Sequence, residues 1–457
     1  MMKTIDKKDL ILKNPNLFKS IVILALPIFF SNLLKSIHSF VDMYFVSPIG
    51  DQAITAITIT NPIISISYAL GTGFMIAGVA IMSQALGAGN KEKANRTCGQ
   101  LFLMSSIVAI IFNVLLFAST PLIVKAIGAT GETYSLAVTY VRIRSFELLP
   151  IFTFFTFLAS RQASGDTITP VIFDIIAIIG NVILTWLFVD VLDLGLRGAA
   201  IGTIIGNIMI MPAYLFMLFK DKKADISISI KDIKFNQREA NQILRLGLPS
   251  AASQAFTSLG FLIVNALVLS YGEPTVAGFG VGNIINSFIL MPAMGVGGSV
   301  TTFVGQNIGA NNPKRAQASV RSALIITLII MIVGASILLP LRKVLGNIFL
   351  DPGKESYDIA IEYMVFLFTS LPLMAIYQVF IGSYQGAGYT KYSLILATVR
   401  LWGLRIPLIY LFRDAFKLDS TSVMYAMVIS NFGACLLGLL LYRLIRFDRK
   451  IDFQMED

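Results

Sequence analysis

Twelve times between residues 18 and 446 the chain enters an apolar run, each bounded by Gly, Pro, Asn or clustered charge. The runs cover residues 18–47, 53–86, 96–124, 133–160, 168–190, 195–219, 246–270, 275–308, 315–341, 358–386, 391–412 and 420–446. A helix of about 20 residues crosses a hydrocarbon core of about 30 Å, and every run reaches that length. In lipid the backbone must satisfy its own polar groups, which leaves helices or closed barrels. The period-2 alternation of a barrel strand is absent. The expected fold is therefore an all-α integral membrane protein with twelve transmembrane helices. Composition agrees, with 56% hydrophobic and 14% charged residues and a mean hydropathy of +0.76, against about 45–50% apolar usage in soluble domains.

The net charge of +10 is distributed as a topology signal. Lys3, Lys7, Lys8, Lys13 and Lys19 precede span 1, Lys91, Lys93 and Arg96 follow span 2, and a dense group from Lys220 to Arg245 follows span 6. Lys314, Arg315 and Arg321 follow span 8, and Arg443 to Lys450 close the chain. The loops after the odd-numbered spans hold far fewer: Lys125, Arg197, Arg342, Lys343, Lys354, Arg413 and Lys417. The positive-inside rule then predicts that both termini and the 220–241 linker are cytoplasmic. With its basic residues placed in this way, the chain gives no ground for a nucleic-acid partner. The polar first twenty residues, followed by an apolar run too long for a signal-peptide core, predict a retained N-terminus. Cys98 and Cys435 both lie inside apolar runs and read as packing residues.

Adding 222 to residue numbers exposes an internal repeat. Leu24, Pro27, Gly50, Asn61, Gly73, Gln84, Gly87 and Pro150 map onto Leu246, Pro249, Gly272, Asn283, Gly295, Gln306, Gly309 and Pro372. After a one-residue slip, Gln162, Gly165 and Thr167 map onto Gln385, Gly388 and Thr390. Each half carries six spans, an even number, so the two six-helix bundles share one orientation and are related by an axis along the membrane normal. The expected units are 1–219, a cytoplasmic linker 220–241, and 242–457. Pro27 and its mate Pro249 each remove one backbone hydrogen bond from the first helix of a bundle, making them candidate hinges.

These stretches resemble the multidrug and toxic compound extrusion (MATE) family, in particular its bacterial MepA- and DinF-like branch. The resemblance rests on "LALPIFFSNLL" with "VDMYFV" in span 1, "SQALGAGNKEKA" leaving span 2, "RQASGDTITP" before span 5 and "IIGNVILTWLFV" with "LGLRGAAIGT" in spans 5 and 6. "LRLGLPSAASQ" and "VGQNIGANNPKRA" carry it through the second half. Order and spacing together are specific, and they extend over nearly the whole chain. The resemblance implies an antiporter, not an enzyme, exchanging amphipathic, cationic drugs for H+ or Na+ by alternating access. It further implies a monomer in the cytoplasmic membrane of a bacterium or archaeon, with no cofactor beyond the coupling ion.

An ionisable side chain inside a span costs at least about 2.5–3.5 kcal/mol, which makes each one a functional candidate. Lys35, His38 and Asp42 fall at i, i+3 and i+7 and share one helix face, which lipid cannot solvate. Asn61, Asn181 and Thr203 lie at a depth similar to that of Asp42, so the four are expected to form a hydrogen-bonded nest around an exchangeable ion. The resemblance implies Asp42 as the coupling acid, holding H+ or alternatively Na+, with Asn181 in its network. His38, Asn61 and Thr203 complete the expected coupling set, and Lys35, Asp42, Asn61, Asn181 and Asp174 the expected substrate-binding set. A protonated Asp42 is expected to release its bonds to His38 and Asn181 and so free the substrate. An imidazole changes charge near neutral pH, which suits His38 to relaying or tuning that proton.

Other features have plainer readings. Asp174 follows Pro170 and can complement the helix dipole at the start of span 5. Arg144, Glu147 and Glu362 lie within reach of the outer interface, where they can snorkel or pair. Arg400 and Arg405 can bond carbonyls or a neighbouring helix. The stretches around Gly89 with Asn90 and Gly165 with Asp166 read as turns and caps, and "GTGFMIAG" at 71–78 as helix packing. Thr185 and Thr257 stand where branches of the family carry an aspartate and a glutamate. A lipid-linked-precursor flippase of the wider superfamily is the alternative function. A membrane enzyme would need a metal cluster or a nucleophile with its base, for which one histidine offers little.

Overall fold

Asparagines start four of the helices on one face of the molecule. The side chains of Asn16, Asn90 and Asn312 accept from the amides of Lys19, Lys93 and Arg315 at 3.0, 2.9 and 3.1 Å, and that of Asn236 from Glu239 at 3.1 Å. Each removes one of the orphan amides of a helix start. The turn before the third helix uses Gly89 at φ +77°, and its repeat mate Asn311 takes the same left-handed conformation at φ +57°. Both types tolerate that region, where other residues strain.

The computed structural model describes residues 7–221 and 223–451, and among them only helices, turns and irregular segments occur. The chain ends, whose cytoplasmic placement the charges predict, fall outside the described residues. The membrane-crossing helices are α1 (Leu17–Val46), α2 (Asp51–Gly87), α3 (Lys91–Ala126), α4, α5 (Ile168–Trp186, extended by a π-turn Leu187–Val191) and α6 (Gly195–Lys220). The second half supplies α7 (Gln237–Leu269), α8 (Glu273–Gly309), α9 (Pro313–Phe349), α10 (Glu355–Gly386), α11 (Thr390–Asp414) and α12 (Thr421–Arg443). α4 is a broken span, Gly131–Ser145 and Leu148–Ala163 meeting at 45°. The expected uninterrupted run 133–160 is thus split, because Pro150 cannot donate to the carbonyl of Phe146. α7 begins nine residues before the expected 246, and its polar first turns stand on the first bundle through Lys93 and Glu239, 3.1 Å apart.

Two six-helix bundles result, and their contacts reproduce the repeat in space. A methyl at Gly87 would overlap the carbonyl oxygen of Gln306, and one at Gly309 that of its mate, Gln84. The Gln306 amide donates to the carbonyl of Ala163 at 2.7 Å, and the Gln84 amide to Gly386 at 3.0 Å. Gly73 of α2 lies against Gly247 of α7, and Gly295 of α8 against Ala25 of α1. Small residues let the backbones of the two bundles approach. On the lipid side, Ile107, Ile110, Ile111 and Leu115 of α3 are exposed, as are their mates Ile329, Ile332, Val333 and Ile337 of α9.

These contacts share one face, the one bearing the helix starts of α1, α3 and α7. Among the described residues, every hydrogen bond between the bundles lies there, including Gln162 to Gly298 and Thr302 to Gln162, both 3.0 Å. Toward the opposite face the two bundles touch through a ring stack of Phe40 on Phe288 at 6.0 Å. The bundles are sealed on the face bearing the helix starts of α1, α3 and α7 and parted on the other.

The lead-in segments cross over. Leu10 and Ile11 of the short helix Lys7–Leu12 are buried in the core of the second bundle, where Arg315 donates to the carbonyls of Ile11 and Asn14 at 3.0 and 2.7 Å. Ile226 and Ile228, ahead of α7, are buried in the core of the first bundle. The 220–241 stretch is therefore packed against α3 and not a free polar connection.

Candidate functional site

The parted face exposes the far half of α1. His38 and Asp42 meet there with Nε2 and Oδ2 3.5 Å apart, their side chains 24% and 30% exposed. Asp42 lies within electrostatic reach of Arg144 and Glu147 across the bundle. Neither Asn181 nor Asn61 bonds to Asp42. The expected four-residue nest is thus not closed: Asn61 is exposed on α2, while Asn181 donates to the Thr203 hydroxyl at 3.1 Å, on its own side of the bundle. The Asn181 carbonyl oxygen and the Thr185 hydroxyl are buried without a partner.

A second polar group extends from Thr203. Asn207, one turn on, donates to Glu147 at 3.0 Å and to the Thr203 carbonyl at 3.1 Å. Glu147 is 2% exposed and receives Arg144 Nε at 2.5 Å. The guanidinium also donates to the hydroxyls of Tyr140 and Tyr68, at 3.0 and 3.1 Å. Of the two readings for Arg144 and Glu147, pairing holds and snorkelling does not. Tyr68, Tyr140 and Asn207 were not singled out by sequence, since hydroxyls and amides are common within spans. The signal available was the i,i+3 spacing of Arg144 and Glu147 next to a proline.

Lys35 turns away from Asp42. Its ammonium lies 3.8 Å from Asp174 of α5, which also accepts from the Ser31 hydroxyl. Asp174 is the seventh residue of its helix, whereas dipole effects fade beyond the first turn. The carboxylate ties α5 to α1 and is not a dipole complement. Pro27 and Pro249 sit inside unbroken helices, α1 and α7.

At the position matching Asp42 the second bundle carries Val264. Its interior holds Arg405, donating to Ser430 at 3.0 Å and Asn431 at 2.7 Å, and Arg400, stacked on Tyr377 at 4.3 Å. Among the described residues no carboxylate pairs with either. Thr257 spends its hydroxyl on the Ser253 carbonyl at 2.7 Å. Among the described residues no three His, Cys, Asp or Glu side chains cluster as metal ligands would.

The family model MatE matches residues 27–187 and 249–411, one copy on each bundle. The chain belongs to the MATE family. Among its relatives, the probable multidrug resistance protein YpnP of Bacillus subtilis is 27% identical over 87% of this chain and 88% of its own. The multidrug export protein MepA of Staphylococcus aureus is 24% identical over 96% of each. A MATE multidrug resistance transporter solved in an outward-facing conformation superposes with a TM-score of 0.90 at 22% identity, covering 97% of this chain and 98% of its own. This MATE protein is thus a multi-pass membrane protein of a multidrug efflux transporter family, a non-enzymatic class.

Proposed function

We propose that this MATE protein exports amphipathic, chiefly cationic drugs in exchange for H+ by alternating access, with Asp42 as the proton acceptor. One observation carries the reading. Of the carboxylates Asp42, Glu147 and Asp174 in the first bundle, Glu147 is held by Arg144 and Asp174 by Lys35 and Ser31, while Asp42 is in contact with an imidazole, with Arg144 further off and committed to Glu147, and stays partly exposed at the parted face. A carboxylate freed from fixed cations can exchange a proton, and the same charge attracts a cationic drug. A lone acid with an imidazole, without further clustered oxygens, suits H+ better than Na+.

The units 1–219 and 242–457 act as the two rocking bodies in this reading, within one chain acting as a monomer. The termini and the 220–241 linker face the cytoplasm, since the sealed face collects the basic residues. The described state is then outward-facing, in keeping with the solved relative of that conformation. Labelling from outside a single cysteine placed at Asp225 in a cysteine-free background is expected to fail, and ready labelling reverses the orientation.

Vesicles with H+ and Na+ gradients imposed independently test the exchange. Export of a cationic dye is expected to follow the proton gradient and ignore Na+; the reverse dependence overturns proton coupling. In the same vesicles Pro27→Ala is expected to slow export severalfold, as a hinge at α1 requires, and unchanged export removes that role.

A further inference from the structure

On the sealed face, beside the start of α11, a cavity of about 370 Å³ opens between three pieces of chain far apart in sequence. Arg245 comes from the first turns of α7, Lys391 from the start of α11, and Arg449 with Lys450 from the segment after α12. Among the described residues no acidic side chain lines the cavity. Among the described residues no carboxylate pairs with these four cations. The nearby Asp448 is taken by Arg446 at 3.1 Å, a bond that holds its carboxyl below the usual carboxylate range.

The floor of the cavity is the start of α11. Its cap position, Tyr389, supplies no side-chain acceptor, so the first-turn amides lack the capping that Asn gives elsewhere on this face. Thr390, the first residue of the helix, lines the cavity; it is 1% exposed and its hydroxyl has no partner. A helix start and four converging cations suit an anion with several oxygens, and an unpartnered buried hydroxyl supplies a further donor. The whole assembly stands where a transmembrane helix emerges from the membrane.

We propose that this cavity is a binding site for a phosphate-bearing headgroup, with the phosphate seated on Thr390 and the α11 start and ringed by Arg245, Lys391, Arg449 and Lys450. Basic pockets between helices at an anionic leaflet take such headgroups. The wall is also a strap: the Ile451 amide donates to Gln84 of the first bundle at 2.9 Å, and Gln84 in turn holds Gly386. A bound headgroup orders this segment against both bundles and so favours the sealed state, as a ligand favours the conformation that contains its site.

The test uses the full chain in neutral phosphatidylcholine discs, titrated separately with short-chain phosphatidylglycerol and with inorganic phosphate, following the thermal unfolding midpoint. The lipid is expected to raise the midpoint saturably. Lys391→Gln with Arg449→Gln is expected to weaken the apparent affinity by about tenfold or more, from the loss of two cations near a phosphate. Thr390→Val, which keeps every charge, is expected to weaken it too, while Lys314→Gln, a cation outside the cavity, leaves it unchanged. A response to the lipid alone assigns a membrane headgroup, and a response to inorganic phosphate that the variants lose assigns a free phosphate ligand at the same site. No response to either, or a response that both cavity variants retain in full, overturns the proposal.

Discussion

At the scale of single residues, pairing separates groups of similar chemistry. Among the carboxylates of the first bundle, Glu147 and Asp174 each face a fixed cation, whereas Asp42 lies against an imidazole. Removing one partner of a buried ion pair strands the other, at about 3–5 kcal/mol. Glu147→Ala, which abandons Arg144 and removes the acceptor of Asn207 on α6, is accordingly expected to lower the thermal unfolding midpoint of the purified protein markedly, and an unchanged midpoint would show that Glu147 is not what fixes the break of α4 against α6. The i,i+4 spacing along α1 is enough to place His38 against Asp42, because a helix fixes that geometry by itself. Which acid takes Lys35 depends on how α5 is rotated against α1, and no single helix contains that information. The same holds for Asn181, whose depth suggests Asp42 as a partner while its helix face delivers it to Thr203. Similar depth is a weaker constraint than a shared face.

At the scale of elements, apolar length and the asparagine and glycine punctuation suffice to find all twelve spans, since the bilayer imposes both. The misses fall where tertiary contacts extend or break a helix. α7 is lengthened by polar turns that stand on the first bundle, and α4 is broken beside Pro150. The crossing helices themselves meet through glycine. Gly87 and Gly309 lie against the carbonyls of the reciprocal glutamines with no room for a Cβ. Backbone cannot yield as a side-chain tip can, so overpacking there costs about 1–3 kcal/mol or more. Gly87→Val is expected to shift the population away from the sealed face, read as a longer distance between spin labels at the ends of α2 and α8 on that face. An unchanged distance distribution would mean that the Gly87 contact does not hold the seal.

At the scale of the whole molecule, the repeat is the feature on which sequence and structure agree most closely, because a two-fold relation constrains many pairs at once. Adding 222 to a residue number predicts not only its mate but the mate of its contact, as Gly73 with Gly247 and Gly295 with Ala25 show. Chemistry breaks that symmetry: an acid with an imidazole in the first bundle, and in the second two arginines that no carboxylate among the described residues pairs with. A two-body exporter needs its exchangeable charge in only one of the bodies, provided the sealing contacts respond to it. The most direct measurement is proton-gradient-driven export by Asp42→Asn in sealed vesicles, with protein amount and thermal midpoint matched to the parent. Loss of export with drug binding retained is the expected result, with His38→Ala shifting only the pH profile. Full gradient-driven export by Asp42→Asn would contradict the assignment of Asp42 as the coupling site.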